Sequence, residues 1–170
     1  MAAITSPKMA CRMNPLEAED ESAVIAWVAR LAAGASRRMM LYVPEPDMPI
    51  WSAPTLLEPL RSFMVEDSRH EVRWLFDDAD DLPRIQPGLV SLAQRLPSLC
   101  LLRQSDPTCP APAPHAFVAG DHGVVLLFER DERSAATACY EVDRIRPMMA
   151  RFHDAWDRAR PLTELRTLGL

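Results

Sequence analysis

Two groups of side chains in this sequence have types and spacing suited to chemistry. Glu45 and Asp47 follow one apolar run, and Asp77 and Asp78 follow another. If those runs are neighbouring parallel strands, the four carboxylates meet at carboxyl ends, where α/β sheets bind ligands. A hard cation such as magnesium could be held there for phosphoryl chemistry. The second group is His115, Asp121 and His122, since a histidine with a carboxylate nearby is the raw material of acid–base or nucleophilic catalysis. Each group also has a plainer structural reading. A run of acids after a strand is more often a solvated turn, and Asp121-His122 between Gly120 and Gly123 reads as a polar hairpin tip. A zinc site from Cys109, His115 and His122 lacks a fourth ligand and matches no common spacing. The expectation is therefore no metal and no cofactor.

Composition removes several other chemistries. Lys8 is the only lysine of the chain, so a phosphate-loop lysine, a Schiff-base lysine and a lysine general base have no residue to use in the body of the sequence. No Gly-x-Ser-x-Gly elbow and no Gly-x-Gly-x-x-Gly turn occurs among five glycines. Cys11, Cys100, Cys109 and Cys139 are too scattered for a zinc knuckle or a redox pair and read as reduced thiols. A formal net charge of -5 argues against nucleic acid and anionic lipid as partners. With no secretory signal and no long apolar span visible, the cytoplasm is the expected location and no membrane is involved.

The elements that must position these side chains follow from periodicity. Residues 1–20 read as a flexible N-terminal arm and residues 21–170 as one α/β domain. From Ser22, the apolar residues Ile25, Val28, Leu31 and Ala32 predict a helix capped by Asp20 or Ser22 and ended by Gly34. Arg38 to Val43 predicts a buried strand closed by Pro44. Leu56, Leu57, Leu60, Phe63 and Met64 predict a second helix, shortened or kinked at its start by Pro54 and Pro59. Strands at Val72–Phe76 and Leu99–Leu102 flank a helix opening near Pro87, so this half should be parallel with right-handed crossovers. After a proline-rich loop from Asp106, three short runs, 116–119, 124–128 and 135–140, predict an antiparallel meander. Ile145, Met148, Met149, Phe152 and Trp156 predict a final helix capped by Asp143, its arginines forming a salt-bridged solvent face.

This order of elements, with Tyr42-Val43-Pro44, Glu71-Val72-Arg73-Trp74-Leu75-Phe76-Asp77, Leu92-Ala93-Gln94-Arg95-Leu96-Pro97-Ser98, Leu101-Leu102-Arg103, Phe152-His153-Asp154-Ala155-Trp156 and Glu164-Leu165-Arg166, resembles a phospholipase D-like half-domain from about residue 22 onward. More narrowly it resembles an uncharacterised bacterial family with that fold. The resemblance implies an α/β, phospholipase D-like mixed sheet with helices packed on both faces. Active members of the superfamily carry His-x-Lys-x-x-x-x-Asp on a central strand. Counted from His115, the lysine place holds Phe117 and the aspartate place His122; counted back from Asp121, the histidine and lysine places hold Pro114 and Ala116. Neither register keeps the triad, and loss of one preorganised charge costs on the order of a hundredfold or more in rate.

The resemblance therefore implies a catalytically silent, non-enzymatic binding or interaction module. The alternative is an enzyme with an altered His115–Asp121 site or a divalent cation on Glu45, Asp47, Asp77 and Asp78. It also implies a homodimer, because active half-domains pair two-fold, and a protein partner, of acetyltransferase type or another, because some members of the narrower family are joined to acetyltransferase domains.

Overall fold

The computed structural model describes residues 17–18, 20–130 and 133–166. Most of the expected arm, with the last residues of the tail, lies outside them. Glu17–Ala18 (β1) do form a short strand, which two residues are too few to announce in sequence.

Helix α1 spans Glu21–Gly34, and Asp20 caps it by accepting a 2.7 Å bond from the Ala23 amide. Strand β2 (Arg38–Val43) leads through a 3-10 turn (Pro49–Ser52) into helix α2 (Pro54–Glu66) and strand β3 (Glu71–Phe76). A single turn, α3 (Leu82–Ile85), precedes helix α4 (Pro87–Arg95) and strand β4 (Cys100–Gln104). The meander is β5 (Phe117–Ala119), β6 (Val124–Arg130) and β7 (Arg133–Cys139). Helix α5 (Val142–Arg158) and a two-residue strand β8 (Arg160–Pro161) follow.

Among the described residues, eight strands join one sheet in the order β1-β7-β6-β5-β2-β3-β4-β8. β2, β3 and β4 are parallel, and the remaining pairings are antiparallel. The alternation of side chains decides what each face carries. Leu41, Val43, Trp74, Phe76, Leu102 and Val118 face a core shared with α1, α2 and α4. Met40, Tyr42, Leu75, Phe117 and Ala119 face the other way, against Ile145, Met148, Phe152 and Trp156 of α5. The sheet thus has helices on both faces, as expected, but among the described residues three long ones lie on one side and a single one on the other. This explains why β2 is apolar at nearly every position.

Two details correct the sequence reading. Helix α2 is continuous from Pro54, with Pro59 inside it. Pro54 occupies the first helical position, where its missing N–H costs nothing. Pro59 removes only the bond to the carbonyl of Thr55, an exposed residue in the first turn. Burial of Leu56, Leu60, Phe63 and Met64, at about 1.5–3 kcal/mol each, outweighs that loss. Helix α5 starts two residues earlier than an Asp143 cap would allow. Glu141 is its N-cap, and Asp143 sits in the first turn, where a negative charge favours the helix dipole.

Candidate functional site

Glu45 and Asp47 follow β2, Asp77 and Asp78 follow β3, and these two strands are adjacent and parallel, as the sequence requires. Three of the four carboxylates share one place. Glu45, Asp47 and Asp78 line an open cleft of about 390 Å³, together with Asp80, Asp81 and Arg84. Asp77 does not belong to it. Its Oδ2 accepts a 2.8 Å bond from the Tyr42 hydroxyl and its Oδ1 a 2.9 Å bond from Ser105 Oγ, while its carbonyl accepts from Gln104 Nε2. It therefore ties the ends of β2, β3 and β4 together. Burial and the Asp77 carboxylate raise the Tyr42 hydroxyl well above its ordinary pKa, so it acts as a fixed donor.

The cleft acids are engaged locally. Asp78 Oδ1 accepts from the Asp80 amide at 3.0 Å, and Asp81 pairs with Arg84 at 2.7 Å. Among the described residues, no three carboxylate, histidine or cysteine side chains converge closely enough to hold a metal ion. The four-carboxylate arrangement expected from sequence is therefore not assembled, because the two acids after β3 diverge from each other.

The histidine group is separated further. β5 runs antiparallel to β2, with Phe117 opposite Tyr42 and Ala119 opposite Met40. His115 therefore lies beyond the carboxyl end of β2, whereas Asp121 lies at the opposite end of the sheet. There Asp121 Oδ2 accepts from the backbone amides of Ser36, in a short bond, and of Arg37 at 3.1 Å. Asp121 thus caps the turn joining α1 to β2. Asp121 and His122 form an exposed two-residue hairpin tip, closed by the Gly120 amide donating to the Gly123 carbonyl at 2.9 Å. Gly123 is required there by close approach, since a Cβ would fall 2.8 Å from the Tyr140 ring and 2.9 Å from Leu31. His115 and Asp121 share no cleft, and Cys109, His115 and His122 share no metal site.

Phe117, at the lysine place when counted from His115, is fully buried, and Ala116, at that place when counted from Asp121, is buried as well. The Phe117 ring centroid stands 5.8 Å from that of Tyr42 and 5.8 Å from that of Phe152, the latter edge-on. These edge and tilted contacts add to its area burial. The position is a joint of the core between sheet and α5.

Two of the described thiols are inaccessible as nucleophiles, and Cys109 is half-buried. Burial pushes the Cys100 thiol up to about 12, and Cys139 is buried as well. His70, without an evident partner in sequence, is a core histidine. Its Nδ1 is 2.6 Å from the Phe63 carbonyl and its ring stacks on Phe63 at 4.2 Å. His153 sits beside Arg73 and Arg38, in surroundings that periodicity does not reveal; burial first, then those two positive charges, hold its pKa below the ordinary histidine value.

Among the described residues no helix is long and apolar enough to cross a membrane. Solved structures share the fold at low identity. Nuc from Salmonella typhimurium, a phospholipase D family member, is similar over 80% of this chain and 88% of its own, with 15% identity and a TM-score of 0.55. NucT from Helicobacter pylori is similar over 84% of this chain and 92% of its own, with 8% identity and a TM-score of 0.60. TrmBL2, an archaeal chromatin protein, is similar over 89% of this chain but only 56% of its own, with 11% identity and a TM-score of 0.59. At these identities the likeness concerns the fold alone, a phospholipase D-like α/β mixed sheet. No curated protein shows significant sequence similarity. A family model described as "Domain of unknown function (DUF7931)" matches residues 20–168, nearly the whole chain, and the protein belongs to that family.

Proposed function

We propose that this chain is a non-catalytic phospholipase D-like module that acts by binding. The observation that carries the reading is Phe117. The place that would hold the charged lysine is filled by a fully buried phenyl ring wedged between Tyr42 and Phe152. An ammonium there would lose its hydration without gaining a carboxylate. The separation of His115 from Asp121 by the length of β5 supports the same reading. So does the divergence of Asp77 from Asp78, which weighs against the metal-dependent alternative.

The test is turnover of bis(4-nitrophenyl) phosphate by purified protein, with and without magnesium or manganese. The expected rate equals that of buffer and is unchanged in His115→Ala. Turnover that disappears in His115→Ala would overturn the reading.

Two-fold self-association belongs to the same proposal. The exposed apolar side chains of Tyr140 and Val142, close together at the start of α5, support a contact surface there. Light scattering at micromolar concentration should return twice the chain mass of 19.1 kDa; a monomer mass removes this part. A partner of acetyltransferase type would use the same non-catalytic role.

A further inference from the structure

Three arginines stand in a diagonal row on the α5 side of the sheet, one on each parallel strand. Arg38 opens β2, Arg73 lies in β3 and Arg103 lies in β4. The register pairs Arg38 with Glu71 and Arg73 with Leu101, so each arginine is two residues further along than its neighbour. Diagonal neighbours of this kind lie within reach of long side chains.

The contacts make the row continuous. Glu71 Oε1 accepts from Arg38 Nε in a short bond and from Arg73 Nε at 2.8 Å, which brings those two guanidiniums side by side. Arg73 and Arg103 both lie over the Trp156 ring, at 5.2 and 4.6 Å from its centroid. Arg103 also donates to the Trp156 carbonyl at 2.9 Å.

The charges do not balance. Three guanidiniums meet one carboxylate, and all the bonds of Glu71 go to a single oxygen. Among the described residues no carboxylate pairs with Arg103, and the terminal nitrogens of Arg38 have no protein acceptor. On α5 the groups facing the row are His153, itself held toward its neutral form by Arg73 and Arg38, and Asp157, which acts in the other direction. The Arg73 pKa is lowered by burial first, with Arg38 and Arg103 adding to the effect. Arg38 and Arg73 keep 29% and 17% of their side-chain surface exposed, enough for a ligand to reach them.

We propose that Arg38, Arg73 and Arg103 bind the phosphate group of a small soluble ligand. Guanidinium forks match phosphate oxygens in pairs, and a half-buried setting strengthens such charge-assisted bonds. The row is short and the chain as a whole is acidic, with a net charge of -5, which favours a single phosphate group over an extended polyanion. Arg73 stands at the middle of the row, Arg38 offers unused donors, and Trp156 fixes the planes of Arg73 and Arg103. The site is separate from the Phe117 position, so it holds whether or not the chain proves silent in a phosphodiesterase assay.

The experiment is a titration of inorganic phosphate followed by ³¹P line broadening, at constant ionic strength set with chloride. Wild-type protein should broaden the resonance saturably. Arg38→Gln should weaken binding about tenfold, the loss expected for one charge-assisted bond, while Arg61→Gln should leave it unchanged. Arg61 is an exposed arginine on α2, paired with Glu58 on the other face of the sheet, and controls for net charge. Arg38→Lys, which keeps the charge but not the fork, should fall between and guards against a folding defect in the glutamine variant. No saturable broadening, or equal loss in the Arg38 and Arg61 variants, overturns the proposal. Retention on phosphatidylglycerol vesicles or duplex DNA with no response to free phosphate overturns it as well.

Discussion

Phe117→Lys, which writes the missing lysine back into the motif strand, is expected to leave the protein unfolded and without phosphodiesterase activity. Removing a fully buried phenyl costs about 3–5 kcal/mol in the manner of Phe→Ala. A buried ammonium without a partner adds several kcal/mol more, because the rings packed on Phe117, Tyr42 and Phe152, carry no negative charge to pair with it. Domains of this size are stable by about 5–15 kcal/mol in total, so the sum approaches or exceeds what is available. Urea denaturation followed by circular dichroism measures this. Phe117→Leu, which keeps an apolar side chain of similar size, should lose far less. A Phe117→Lys variant with the wild-type midpoint would mean that position 117 opens onto solvent or a ligand cleft, and the non-catalytic reading would fall with it.

Trp156→Ala is the second large effect. Trp156 is buried, stacks on Phe152 with centroids 6.0 Å apart, and receives the guanidiniums of Arg73 and Arg103 on its ring. Truncation should cost about 3–5 kcal/mol through the cavity alone. Loss of the two cation–π contacts adds about 0.5–2 kcal/mol each. Trp156→Phe should recover part of both, and the order wild type, Phe, Ala in denaturant midpoint is the expected result. A change of less than about 1 kcal/mol for alanine would show that α5 is not anchored through this ring. Pairing the arginine row with the anchor of α5 couples ligand binding to the stability of the helix that covers that face. Phosphate should therefore raise the melting temperature of wild-type protein more than that of Arg38→Gln.

The elements were largely legible in sequence because their periodicity reports local geometry. Met39 to Val43 read as a buried strand, and Met148, Phe152 and Trp156 as the core stripe of the last helix, from spacing alone. Pro59 misled the reading of α2. Helix propensity is local, whereas the burial of Leu60 and Phe63 that overrides it depends on a sheet formed from distant residues. The cap of α5 was misplaced by two residues for a similar reason, since the chain direction leaving β7 sets where the helix can begin.

The candidate site was legible only as far as strand ends. Sequence placed Glu45, Asp47, Asp77 and Asp78 at the carboxyl ends of neighbouring strands, but adjacent residues in a turn point in different directions. Only the Tyr42 and Ser105 hydroxyls decide that Asp77 turns away from the cleft. Arg38, Arg73 and Arg103 were missed because they lie far apart in the chain. Their one signal was an arginine in each of three largely apolar strands.

Composition and periodicity by themselves determined the α/β class, the parallel and antiparallel halves, and the absence of lysine chemistry beyond Lys8, because each depends on residue type or near neighbours. Which side chains meet was decided by the tertiary structure. The strand order puts β5 beside β2 and separates His115 from Asp121, while the register of β2, β3 and β4 lines up three arginines, two of them over one indole. Charge and burial act through space, and only the folded sheet sets those distances.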